Sequence, residues 1–345
     1  MKPGKPTHLQ LKEVFESEIN TSSHQNNQED PKDEKSGINP PTTVGNIQTT
    51  MNSLHPHIQQ NPSNISNPTN FSSNNQNNMI QKVNQNYSFG KDYFDEVYKN
   101  LLLDELRFCQ KINCNYMTLQ NDICDKMRAI LVDWIIDVHN KLNMNKKTLF
   151  QCVFIIDAYL SKCIIEKKNL QLLGMAALLI ASKENEVNYP SLQTFILLSE
   201  NAYTLEELKD MEIKVIQNLE CDILAPTAEE FFSINADYFE FTEIQKYFGQ
   251  FFLDASLIDY HLLKYKQSTI AVACGYIVIK FFNLNGANLI VDNTNQGVNA
   301  KEVKDCAKDL CLLMRNLWDS FLRATKNKYF SDKYLNVAQL YENQL

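Results

Sequence analysis

Arginine is nearly missing from this chain of 345 residues. Of its 33 basic residues only Arg107, Arg128, Arg315 and Arg323 carry a guanidinium, and the formal net charge is −8. A surface that neutralises phosphates needs clustered basic groups, so this balance argues against a nucleic-acid partner. The nine Cys contain no C-x-x-C pair and have few of the six His among them, which argues against a metal site or a disulfide framework. Reduced, buried thiols of a cytosolic or nuclear protein fit better. Long hydrophobic runs are also lacking. "LQLLGMAALLIAS" (170–182) and "IAVACGYIVIKFF" (270–282) are the most apolar stretches, and both fall short of the ~20 residues that span a bilayer. The N-terminus has no apolar segment of the secretory kind, so no membrane partner is expected. No phosphate-cradling lysine loop, G-x-S-x-G or clustered His/Asp/Ser set appears. The chain therefore reads as no enzyme and as needing no cofactor.

What is present falls into three parts. Residues 1–88 are dominated by Asn, Gln, Ser, Thr and Pro, with no Arg, no Ser-Pro or Thr-Pro and no basic cluster. Such a segment buries too little apolar surface to offset its chain entropy and reads as a disordered tail. From residue 89 on, segments of helical period follow one another, among them "KDYFDEVYKNLLLDELRF", "DKMRAILVDWIIDVHNKL" and "TLEELKDMEIKVIQNLE". No apolar/polar alternation or Asn-Gly turn intervenes, so the expected fold is all-α. Thr204 precedes Glu206 and Glu207 as an N-cap, Pro190-Ser191 opens a short helix, and Pro226-Thr227 breaks one helix and caps the next.

The junction at Pro226 separates residues 89–225 from 226–345, and a similar helical series recurs after it. The two apolar runs hold equivalent third places, each mixing small residues with large aliphatics as central bundle helices do. A duplicated helical domain is expected, with residues 283–298 as a surface insertion longer than most helix connections.

"MRAILVDWII" (127–136) carries two apolar stripes on a 3.6-residue period. Met127, Ile130, Leu131 and Trp134 form one; Ala129, Val132 and Ile136 form the other. One stripe faces the bundle, and the other is either buried under a second element or left open as a docking surface.

The segment "MRAILVDWIIDVHNKL" resembles the first helix of the cyclin box. The similarity runs on through "TLFQCVFIIDAYLS", "LQLLGMAALLIASK" and "YTLEELKDMEIKVIQNLECDILAPT", upstream to "DYFDEVYKNLL" and downstream to "NKYFSDKYLNVAQL". It covers about residues 92–340, and it identifies the chain as a member of the cyclin family, B-like among the mitotic types, with an A-like role still open. The resemblance implies two tandem five-helix cyclin-box domains, preceded by the disordered tail and an N-terminal helix. It further implies a regulatory subunit of a cyclin-dependent protein kinase, acting in nucleus and cytoplasm at the G2/M transition. A cyclin-fold transcription factor or an adaptor without kinase activation is the alternative.

Residue by residue, the resemblance places kinase contacts at Lys183 and Glu212, with Tyr93, Val97, Leu101, Ile213, Ile216, Cys221 and Ile223 around them. It makes the stripe of Met127, Ile130, Leu131 and Trp134, bordered by Asp137, Leu170 and Gln171, a solvent-facing patch that docks Arg/Lys-x-Leu segments of substrates and inhibitors. It pairs Arg128 with Asp157, since a charge among apolar residues needs a partner when buried. Two positions depart from the family: "SKENE" puts Glu184 where an aromatic is common, and Cys221 stands where Phe often packs on the kinase. Each removes apolar area worth about 1.5–3 kcal/mol when fully buried. "RAIL" (128–131) and "KEN" (183–185) match degradation signals, but both lie in predicted folded helices and read as chance matches.

Overall fold

The computed structural model describes residues 94–108, 110–284 and 298–343. The tail reading for 1–88, Tyr93 and all but the ends of the 283–298 insertion lie outside these residues. Within them there are α-helices and short 3-10 turns and no strand. We number the helices α1 Phe94–Phe108, α2 Asp125–Lys141, α3 Lys146–Lys162, α4 Leu170–Asn185, α5 Leu192–Leu198 and α6 Leu205–Asn218. Then come α7 Ala228–Tyr238, α8 Glu243–Ser256, α9 Gln267–Phe281, α10 Ala300–Trp318, α11 Ala324–Tyr329 and α12 Val337–Glu342. After α1, a first repeat holds α2–α6 and a second begins at α7.

Local chemistry starts several of these helices where the sequence signals them. Glu207 N–H donates to Thr204 Oγ1 at 3.2 Å while Thr204 N–H donates to Glu207 Oε2 at 2.8 Å, a reciprocal capping box at the start of α6. Thr227 and Glu230 repeat it at α7, and Ser191 Oγ accepts from Thr194 N–H at α5. Acidic Glu206, Glu207, Glu229 and Glu230 lie in the first turns of α6 and α7, where the helix dipole favours them.

The two apolar runs become α4 and α9, each at the centre of its repeat. Every α4 residue from Leu170 to Ser182 is buried, against α2, α3 and α6. α9 is buried from Ser268 to Ile279 except for Tyr276, against α7, α8 and α10. Small residues set these approaches. A Cβ placed on Gly174 of α4 would sit 2.7 Å from Leu131 Cδ1 of α2, and one on Gly249 of α8 would collide with the ring of Phe232.

Candidate functional site

Arg128 points into the molecule. It is 1% exposed, and its Nε and Nη2 donate to the two oxygens of Asp157 on α3, both at 2.7 Å. This fork-to-fork geometry is the strongest an ion pair adopts. Tyr116 Oη donates to the same carboxylate at 2.7 Å, and Arg128 Nη1 donates to the Leu257 carbonyl just past α8 at 2.9 Å. Burial opposes the guanidinium charge, but Asp157 beside it more than compensates and holds Arg128 protonated above its ordinary range. This pair is internal scaffolding that joins α2, α3 and the second repeat.

The two stripes of α2 do not divide as expected. Val132 and Ile136 are fully buried, but Met127, Ile130 and Leu131 are also buried, at 6%, 4% and 3% exposure. Leu170 and Gln171 are buried as well, while Ala129, Trp134 and Asp137 are half-buried. The solvent-facing patch is thus corrected: only Trp134 and Asp137 of its residues reach the surface appreciably. The cause is that α2 lies between α4 and α11. Leu131 fills the space left by Gly174, and Asp133 on the far side accepts the Ala324 N–H of α11 at 2.9 Å. Trp134 and Asp137 share a helix face at i, i+3, and Asp137 pairs with Lys141 at 2.6 Å.

Lys183 ends α4 and Glu212 sits mid-α6, and the fold brings them together: Lys183 Nζ donates to Glu212 Oε1 at 2.5 Å. The Lys183 side chain is 40% exposed and that of Glu212 14%. Next to Glu212, Ile213 is 51% exposed, whereas Ile216 is half-buried against the core. Glu184 is exposed. Ile223 is half-buried, and its carbonyl accepts from Gln151 Nε2. Cys221 is exposed in the left-handed region at φ 58°, so its side chain projects from a tight turn after α6. On α1, Val97 is 46% exposed and Leu101 half-buried. The inner stripe of that helix is Phe94, Tyr98, Leu102, Glu105 and Phe108 instead.

Residue-by-residue reading missed buried carboxylates, among them Glu105 and Asp133, 4% and 7% exposed. The available signal was their register: each falls on the inward face of an amphipathic helix, where an acid has no place without a partner. Burial pushes Asp133 up to about 7, against the opposing hydrogen bond from Ala324. Among the described residues no group of His, Cys, Asp and Glu is placed to hold a metal ion, and no helix is long and apolar enough to cross a membrane.

The fold has counterparts among known proteins. The family model "Cyclin, N-terminal domain" matches residues 96–224 and "Cyclin, C-terminal domain" matches 229–343. A G2/mitotic-specific cyclin-B of Hydra vulgaris is 30% identical over 255 residues, spanning 72% of this chain and 67% of that protein. Human G2/mitotic-specific cyclin-B2 is 31% identical over 260 residues, spanning 74% of this chain and 64% of the relative. The chain thus spans about two thirds of the length of the curated relatives it matches. In fold it is similar to a viral cyclin from herpesvirus saimiri, with a TM-score of 0.54 at 22% identity, covering 62% of this chain and 97% of that one.

Proposed function

The chain belongs to the cyclin family, and on that premise we propose that it is a regulatory subunit, itself no catalyst, that binds and activates a cyclin-dependent Ser/Thr kinase at mitosis. A protein kinase transfers phosphoryl only when its β3 Lys is paired with the Glu of its αC helix. A partner that binds only that arrangement shifts the kinase toward it, and moving the balance from 1:99 to 99:1 takes about 5.5 kcal/mol of differential affinity.

The observation that carries this reading is the Lys183–Glu212 pair. It joins the exposed end of α4, whose preceding turns are buried, to α6, and it lies at the surface with exposed Ile213 as its neighbour. Opposite charges held in one geometry present a donor and an acceptor to a partner's backbone without further ordering cost. The resemblance adds Val97, Leu101, Tyr93, Ile216, Cys221 and Ile223 as further kinase contacts, and the exposed Glu184 and Cys221 adapt the surface to a divergent kinase. Co-expression with a cyclin-dependent kinase catalytic subunit, followed by pull-down and a histone-kinase assay, tests this. Lys183→Ala and Glu212→Ala are each expected to lose about 2–5 kcal/mol of binding; retention and activation of the kinase by both variants would refute the assignment.

Substrate recruitment forms the second half of the proposal. Trp134 and the acidic Asp137 form the accessible part of a docking site for Arg/Lys-x-Leu segments, with Met127, Ile130, Leu131, Leu170 and Gln171 as its floor. Tethering a substrate there raises its effective concentration at the kinase. Nucleus and cytoplasm are the compartments we assign to this activity, in keeping with the free thiols of Cys152, Cys274 and Cys306.

A further inference from the structure

α1 carries two apolar faces that compete for the same seat. Phe94, Tyr98, Leu102 and Phe108 face inward, yet Val97, Leu103 and Leu106 are 46%, 56% and 52% exposed, and Leu101 is half-buried. Apolar burial alone therefore discriminates weakly between rotations of this helix about its axis. α1 packs on α7 and α9 of the second repeat. Phe94 lies 4.2 Å from Tyr238 between ring centroids, Tyr98 meets Phe231 at 5.5 Å, and Phe108 meets Phe154 of α3 at 6.3 Å.

One inward residue is not apolar. Glu105 sends its carboxylate to the first turn of α9, where Oε1 accepts the Ser268 N–H at 2.7 Å and Oε2 accepts the Ser268 hydroxyl at 2.6 Å. The residue at the N-cap of α9, Lys266, makes no side-chain capping bond. Glu105 thus supplies from α1 the cap that α9 does not provide for itself. A buried carboxylate is costly in any other seat, because rotation or axial slip of α1 would strand it in the core without donors. Burial raises its pKa, and the Ser268 hydroxyl and amide pull it back.

We propose that Glu105 is a positioning residue for the kinase-binding surface: by capping α9 it fixes the rotation and register of α1, and so presents Val97 and Leu101 to the kinase in one orientation. Buried polar groups that specify register in this way are known from other helical assemblies. The proposal rests on the reading of the chain as a kinase activator.

The test titrates full-length wild type, Glu105→Ala, Glu105→Gln and a control, Val303→Ala, into a recombinant cyclin-dependent kinase catalytic subunit. Half-activating concentration, maximal histone-kinase rate and Tm are read for each. Val303 is fully buried in α10, which packs on α8 and α9, so its truncation lowers stability without removing a side chain of α1. Glu105→Ala is expected to raise the half-activating concentration about tenfold at unchanged maximal rate. Glu105→Gln keeps it within about twofold, since an amide can still accept from the Ser268 N–H and donate to its hydroxyl. Val303→Ala, though less stable, also stays within about twofold of wild type. An unchanged half-activating concentration for Glu105→Ala, or an equal rise for Val303→Ala, overturns the proposal. A wild-type chain that neither binds nor activates the kinase overturns instead the reading on which it rests.

Discussion

Trp134 is the position at which peptide docking can be separated from folding. Met127, Ile130 and Leu131 are already within 6% of complete burial, so truncating them leaves cavities and costs about 2–5 kcal/mol of stability. Trp134 keeps part of its ring at the surface beside Asp137. Trp134→Ala is therefore expected to weaken an Arg/Lys-x-Leu peptide by about 1.5–3 kcal/mol while kinase association stays intact. Fluorescence-anisotropy titration of such a peptide and a parallel kinase pull-down check this, and equal loss in both would end the docking assignment. The same helix shows what periodicity conveys and what it leaves out. Two apolar stripes were legible in "MRAILVDWII", and both are present on α2. Which of them meets water depends on α4 and α11, elements distant in sequence, and no local pattern encodes their cover. The role of Lys183 and Glu212 was likewise invisible to pattern alone: each looks like an ordinary surface charge, and only the resemblance to cyclins singled them out.

Helix starts divide into those written locally and those supplied from elsewhere. Thr204 and Thr227 cap their own helices through residues three positions on, so both were readable from the sequence. α9 and α11 have no side-chain capping bond from their own N-cap residues, Lys266 and Arg323, and are capped by Glu105 and Asp133 from across the fold. A cap borrowed over 163 or 191 residues leaves no local trace. Asp133 offers a pH test of this arrangement. Its folded pKa of about 7, set mainly by burial and increased by Asp137, lies above the ordinary carboxylate value. Between pH 4 and pH 7 the folded state thus holds a proton that the unfolded chain has released, so stability falls as pH rises through this window. Asp133→Asn keeps an oxygen acceptor for the Ala324 N–H and carries no charge. It is expected to exceed wild type by on the order of 4 kcal/mol at pH 8, with the advantage vanishing near pH 4. Urea unfolding at several pH values measures the difference, and a constant offset across the range would show that folding does not raise the Asp133 pKa.

Across the whole molecule, the duplication was legible from two apolar runs in matching places, but the seam between the repeats was not. Three buried polar side chains cross that seam, each in the sense that suits a helix dipole. Arg128 donates to the carbonyl past the C-terminal end of α8, while Glu105 and Asp133 accept amides at the N-terminal ends of α9 and α11. Separating the repeats would break these hydrogen bonds, and a hydrogen bond to a charged group is worth about 1.5–3 kcal/mol. The repeats are therefore expected to unfold as one cooperative unit rather than in sequence. The chain carries only two Trp, and they fall one to a repeat, Trp134 in α2 and Trp318 in α10. Trp134→Phe and Trp318→Phe variants each leave a single reporter, so fluorescence follows the two repeats separately. Coincident urea midpoints and equal m-values in both variants, matching the far-ultraviolet dichroism, are the expected result. Fluorescence midpoints more than about 0.5 M urea apart, when dichroism shows the two variants equally stable, would mean that the repeats melt independently and that the seam hydrogen bonds do not couple them.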